Sequence, residues 1–157
     1  MRKNIIYSLL LVVAALFAGC ESRLDIEKHG NMGDQNDFYQ TDEQTEQAVA
    51  SMYSSLKGLY YNWFFTKNLL SDDVWCGGGQ RGDNTSLEQL NEYTYGTDNG
   101  MIQGVFSGLY GLIYQSNLVI EKVADDTPAK KRAIAEAKFF RAWANFELVT
   151  LWGTAPL

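Results

Sequence analysis

Two cysteines, one histidine and an adjacent pair of aspartates are the residues whose types could do covalent or acid–base chemistry in this sequence. Cys76 stands beside Gly77-Gly78-Gly79, a setting open enough for a nucleophile. A thiol nucleophile needs a base within hydrogen-bond reach, and the single histidine, His29, lies in a polar segment far upstream. The same shortage of ligands at metal spacing argues against zinc, so neither a metal nor a cofactor is expected. Asp72-Asp73 could form an acid/base pair for glycoside hydrolysis, but that chemistry needs two carboxyls facing each other across the substrate, about 5 to 10 Å apart. Adjacent residues point in different directions, and an aspartate here suits a turn cap better. Arg81-Gly82-Asp83 matches an adhesion tripeptide, a match too short to carry weight. The sequence therefore reads as that of a protein that is not an enzyme.

Cys20 belongs to a different chemistry. Arg2 and Lys3 precede an apolar run from Ile5 to Phe17, and Ala18-Gly19 separates that run from the cysteine. A basic start, an apolar stretch shorter than the ~20 residues of a membrane-spanning helix, and small residues before a cut make an export signal. Small residues followed by cysteine resemble a bacterial lipobox, with Phe17 standing where leucine is usual. The expectation is a leader over residues 1–19, cleavage before Cys20, and acyl chains on the sulfur and new amino group of Cys20. Each buried CH₂ contributes ~0.8 kcal/mol, so several chains acting together hold a soluble domain on a membrane. Cys76 then has no cysteine left to pair with.

The formal net charge is −6, and removal of Arg2 and Lys3 with the leader makes the mature chain more acidic still. An acidic surface repels phosphate backbones, and Lys130-Lys131-Arg132 is too short a basic run to offset it. Nucleic acid is therefore not an expected partner.

Binding chemistry is concentrated between Tyr60 and Tyr95. Tyr60, Tyr61, Trp63, Phe64, Phe65 and Trp75 precede the glycine cluster, and Arg81, Asp83, Asn84, Tyr93 and Tyr95 follow it. An aromatic plane can cover the C–H face of a pyranose ring while planar polar groups meet its hydroxyls. Trp75, Arg81 and Asn84 are the preferred ligand contacts because they flank the glycines, and loops carry function more often than helices do.

These residues must be positioned by helices. Residues 20–36 have no apolar period and read as a tether, with the folded domain over 37–157. Thr41 and Gln44 form a capping-box pattern, Asp42 and Glu43 suit the positive helix end, and an apolar stripe continues to Leu59, with Gly58 marking the stop. A second helix is expected from Ile102 to Ala124, with Phe106, Leu109, Ile113, Ile120 and Ala124 along one stripe. Asn117 lies in that stripe as a polar lock between helices. Gly104, Gly108 and Gly111 weaken this helix by ~1 kcal/mol each, which predicts a close neighbour on their side. The third helix begins at Thr127 with Pro128 in its first turn, carries Ala133, Ala137, Phe140, Ala144, Leu148 and Leu151, and ends before Gly153. Its short link to the second helix makes the two an antiparallel hairpin. Ala142 and Phe146 fit a fragment of the tetratricopeptide pattern. Trp143, Trp152 and Leu157 are expected to be exposed, leaving more apolar surface than three helices can cover.

Several blocks occur in an order that resembles the SusD/RagB family of nutrient-binding outer-membrane lipoproteins. They are the lipobox ending at Cys20, the first helix with Tyr53, the Ser71-Asp72-Asp73 turn, and Leu109-Tyr110-Gly111-Leu112-Ile113 with Asn117 downstream. The most specific runs Glu136-Ala137-Lys138-Phe139-Phe140-Arg141-Ala142, then Phe146-Glu147-Leu148 and Trp152-Gly153-Thr154-Ala155-Pro156-Leu157; Phe106 replaces a frequent tryptophan. The resemblance implies an all-α fold of tetratricopeptide-like helix pairs with irregular loops, of which this chain corresponds to the amino-terminal part. It implies no catalytic machinery and a scaffold role for Asn117, Glu136 and Arg141. It further implies a lipid-anchored, cell-surface protein of the outer membrane that delivers oligosaccharides to a SusC-like TonB-dependent transporter. A peptide ligand, or a helical scaffold that binds only a protein partner, are the alternatives.

Overall fold

Thr41 starts the first helix by satisfying amides that helix geometry leaves unpaired. Its hydroxyl accepts from Gln44 N at 3.2 Å, and the Gln44 side chain accepts from Thr41 N at 3.1 Å. The computed structural model describes residues 38–154. The leader over 1–19, Cys20, the tether over 20–36, His29 and the closing Ala155-Pro156-Leu157 lie outside the described residues.

Helix α1 runs Asp42–Leu69, so Gly58 does not end it. Leu59, Thr66 and Leu69 continue the buried stripe of Ala48 and Met52 beyond the glycine. Burying a leucine is worth roughly 1.5 to 3 kcal/mol, which exceeds the ~1 kcal/mol that glycine costs inside a helix. The aromatic run Tyr60 to Phe65 is accordingly helical rather than loop. A short helix, α2, spans Thr85–Asn91 within the stretch expected to be irregular. Its Leu87 and Leu90 pack with Leu69 and Met101 in a small cluster of their own.

Helix α3 runs Gly100–Lys122, started by the Asn99 side chain, which accepts from Met101 N and Ile102 N. Its buried face is Met101, Val105, Leu109, Leu112, Ser116 and Val119, rotated from the expected stripe. The glycines explain the rotation. A methyl at Gly104 would collide with the amide of Asn62, and one at Gly108 would lie 2.8 Å from Leu59 Cδ1, so α1 approaches on that side. Gly111 has open space beside it. Phe106 and Asn117 consequently lie on exposed surface, and Ala124 falls beyond the helix end.

Helix α4 runs Pro128–Trp152 and follows the expected boundaries. Thr127 Oγ1 accepts from Lys130 N at 3.2 Å, and Gly153, at φ 78, closes the far end in a conformation that favours glycine. Ala133, Ala137, Phe140, Ala144 and Leu148 are buried along one face, as the stripe required. The α3–α4 hairpin packs on α1, with α3 against both long partners and α2 against α1 and α3. Thr127 also donates to Asp42 Oδ1 at 2.7 Å, tying together the starts of α1 and α4. The described residues are thus an all-α assembly of four helices.

Trp143 and Trp152 are half-buried rather than exposed, because Trp143 packs on Trp63 and Trp152 on Phe106. The large exposed apolar side chains are others, among them Tyr60, Phe139 and Phe146. No helix among the described residues is long and apolar enough to cross a membrane.

Candidate functional site

The loop from α1 to α2 is built to present Trp75. Ser71 Oγ donates to Asn68 O at 2.6 Å and accepts from Asp73 N at 3.4 Å, forming a turn at the end of α1 that leaves Asp72 and Asp73 exposed. Asn91, the last residue of α2, then grips the backbone on either side of Trp75. Its Oδ1 accepts from Cys76 N at 3.0 Å, and its Nδ2 donates to Val74 O at 3.1 Å. Held at both neighbours, Trp75 is 75% exposed. Tyr93 completes the wall. Its φ of 56 is unusual for a residue with a side chain, and its hydroxyl donates to Leu70 O at 2.7 Å. Ser71, Asp72, Asp73, Val74, Trp75, Asn91 and Tyr93 together line an open cavity of about 320 Å³.

Arg81 and Asn84 do not line this cavity. The Arg81 guanidinium donates to Glu92 Oε2 at 2.7 Å, and Asn84 is the residue before α2, its side chain making no cap bond. Asp83 faces inward on its own turn, Oδ2 accepting from Gly79 N at 2.7 Å and Gln80 N at 3.0 Å. Gly82, at φ 93, donates its amide to Glu88. The Arg-Gly-Asp tripeptide therefore has both charged ends engaged within the protein. Cys76 is half-buried, and burial, helped by the charge of Glu88, pushes its thiol up, away from thiolate. Among the described residues no three His, Cys, Asp or Glu side chains gather to hold a metal.

Asp72 and Asp73, which by sequence alone suit a turn cap, also edge the hollow beside Trp75. Their position follows from the Ser71 turn and the Asn91 clamp, which have no short motif.

The aromatics of α1 occupy other surfaces. Tyr60 stacks on Phe64 with centroids 5.6 Å apart, and Trp63 turns inward to donate its indole N–H to Glu147 Oε2 at 2.8 Å. A groove of about 290 Å³ runs between α1 and α4, floored by Leu56, Leu59 and Phe140 and rimmed by Tyr60, Phe139 and Trp143. A third hollow, about 490 Å³, lies between the ends of α1 and α4 and the Tyr95-Gly96-Thr97 loop. Thr66 Oγ1 at its wall is a buried oxygen with no hydrogen-bond partner among the described residues.

Asn117, Glu136 and Arg141 lie where helices meet. Arg141 Nη1 donates to Asn117 Oδ1 at 3.0 Å, a lock between α4 and α3 on the surface rather than in the core. Glu136 pairs with Arg132 at 3.4 Å, and its charge, with a hydrogen bond, holds the Tyr53 phenol above its usual range.

Comparison with known proteins finds several relatives. The SusD-like family described as "starch-binding associating with outer membrane" matches residues 25–157. A SusD-like protein of Bacteroides ovatus is 33% identical over 96% of this chain and 28% of its own length. SusD-like protein P38 of Formosa agariphila is 28% identical over 99% of this chain and 30% of its own length. The chain thus spans about three tenths of the curated relatives it matches. No solved structure is significantly similar. With the family match reaching across all four helices, the chain belongs to the SusD-like family.

Proposed function

We propose that this chain takes part in capturing glycans at the outer surface of a bacterium, as a lipoprotein anchored through Cys20 that delivers oligosaccharides to a SusC-like TonB-dependent transporter. The observation that carries the reading is Trp75: a large aromatic held outward by Asn91 over a hollow edged with carboxylates. A ring face at this exposure can stack on a pyranose while Asp72 and Asp73 accept from its hydroxyls. Membership of a family described as starch-binding and associated with the outer membrane supports both the ligand class and the location. Arg81 and Asn84, on the neighbouring glycine turn, would extend the contact to a longer chain.

The reading includes no hydrolysis, since Asp72 and Asp73 are adjacent in the chain and that chemistry needs two carboxyls facing each other across the substrate. Calorimetric titration of the chain with malto-, cello- and manno-oligosaccharides, with an assay for new reducing ends, tests it. Binding without new ends supports the reading; new ends, or no binding to any of them, contradict it.

A second reading, a helical scaffold for a protein partner, draws support from the α1–α4 groove, where Phe139 is 67% exposed beside Tyr60 and Trp143. Co-purification with a transporter, without retention on any glycan or peptide column, favours the scaffold, and sequencing the DNA on both sides of the coding segment bears on the ligand class. An adjacent transporter gene with glycosidase genes favours glycan capture, and adjacent peptidase genes favour a peptide ligand.

A further inference from the structure

We infer that the Trp75 hollow selects neutral, hydroxyl-rich glycan chains and turns away polyanionic ones, with Asp72 and Asp73 as the specificity-determining residues. The inference rests on the glycan reading and deepens it. The neutral hydrogen-bonding side chains around the hollow are already engaged within the protein. Both ends of the Asn91 amide hold the backbone of Val74 and Cys76, the Tyr93 hydroxyl donates to Leu70 O, and Ser71 Oγ donates to Asn68 O. Apart from the Trp75 indole N–H, the polar side chains at the hollow that hold no hydrogen-bond or ion-pair partner among the described residues are Asp72 and Asp73, whose carboxylates remain wholly available to a ligand.

Ionised carboxylates only accept hydrogen bonds, so the ligand must bring donors. Sugar hydroxyls do so, in charge-assisted bonds that are stronger than neutral ones. A uronate or sulfate group brings further acceptors and a like charge. Among the described residues no cation lines the hollow: the Arg81 guanidinium is paired to Glu92 at 2.7 Å, and Lys67 is paired to Glu147 at 2.8 Å. The net charge of −6 adds repulsion at longer range. Two carboxylates each ~6 Å from a ligand carboxylate, in a water-like dielectric, together account for about a tenfold loss of affinity.

The test uses the chain as it stands, with maltohexaose, cellohexaose and mannohexaose, each beside its own C6-oxidised uronate form. The neutral form of at least one chain is expected to bind about tenfold or more tightly than its oxidised form. Asp72→Asn with Asp73→Asn is expected to narrow the gap at least threefold, with helicity by circular dichroism as the folding control. Raising the salt to about 1 M, where the screening length is ~3 Å, narrows the gap for the unaltered chain and needs no variant. Equal or tighter binding of an oxidised form, or a gap insensitive to both the double variant and salt, overturns the inference and leaves glycan capture standing. Absence of binding by every form overturns both.

Discussion

Glu147 on α4 and Lys67 on α1 meet in a 2.8 Å ion pair whose carboxylate is buried and whose ammonium stays partly in water. The same oxygen accepts the Trp63 indole N–H, so one carboxylate fastens two residues of α1 to α4. The pair lies beside the α1–α4 groove and holds Trp63 in its wall.

The two partners should respond unequally to replacement. Lys67→Met leaves a buried carboxylate without its cation and is expected to cost about 3 kcal/mol. Glu147→Gln keeps an acceptor for Trp63 and frees an ammonium that can turn to solvent, for about 1 to 2 kcal/mol. Urea denaturation of both variants checks the order; a larger loss for Glu147→Gln would contradict it.

The glycines of the helices predict opposite signs. Gly58 in α1 and Gly111 in α3 have open space beside them, so alanine at either should stabilise by about 0.5 to 1 kcal/mol. Gly108 faces Leu59, which is buried, and alanine there must displace it. Gly108→Ala is expected to lower the melting temperature while the other two raise it, as thermal melts of the three variants will show.

Thr66 offers a test of the unpaired oxygen. Its hydroxyl is buried without a partner among the described residues, and valine has nearly the same shape without the polar atom. Thr66→Val should stabilise by about 0.5 to 1 kcal/mol in denaturant titration. A loss of that size would mean the hydroxyl is bonded in solution.

Tyr53 gives a pH dependence. Glu136 raises the phenol above its usual value of 10.0, first by its charge and, after burial, also by a hydrogen bond. A group whose folded pKa is raised contributes stability that is complete below the unfolded value and lost as pH climbs through the folded one. Stability should therefore fall at alkaline pH above about 10, and less so in Tyr53→Phe. Difference absorbance between those two proteins gives the Tyr53 titration directly, and Glu136→Gln should move it down.

Local chemistry made much of the fold legible. Thr41 with Gln44, and Thr127 with Pro128, fixed two helix starts because caps depend on a few adjacent residues. The alanine and phenylalanine stripe of α4 could be read for the same reason. Gly58 misled because the burial that overrides its cost lies in α3 and α4, out of view along the chain. The face of α3 was likewise set by Leu59 and Asn62 on another helix, which the glycines announced only as a close approach.

At the candidate site, Trp75 stood out by its type and its neighbouring glycines. That Asn91 should hold it outward, and that Asp72 and Asp73 should edge the same hollow, depends on a contact between residues many positions apart. Arg81 and Asn84 share the loop but face a different turn.

The most direct test of glycan capture at this shelf is calorimetry of the unaltered chain against Trp75→Ala, using the oligosaccharide from the panel that binds. Loss of the stacking face is expected to weaken binding about tenfold, equivalent to ~1.4 kcal/mol, with the melting temperature nearly unchanged because Trp75 is 75% exposed. Unchanged affinity, or a melting temperature lowered by many degrees, would contradict the account and assign Trp75 to structure instead.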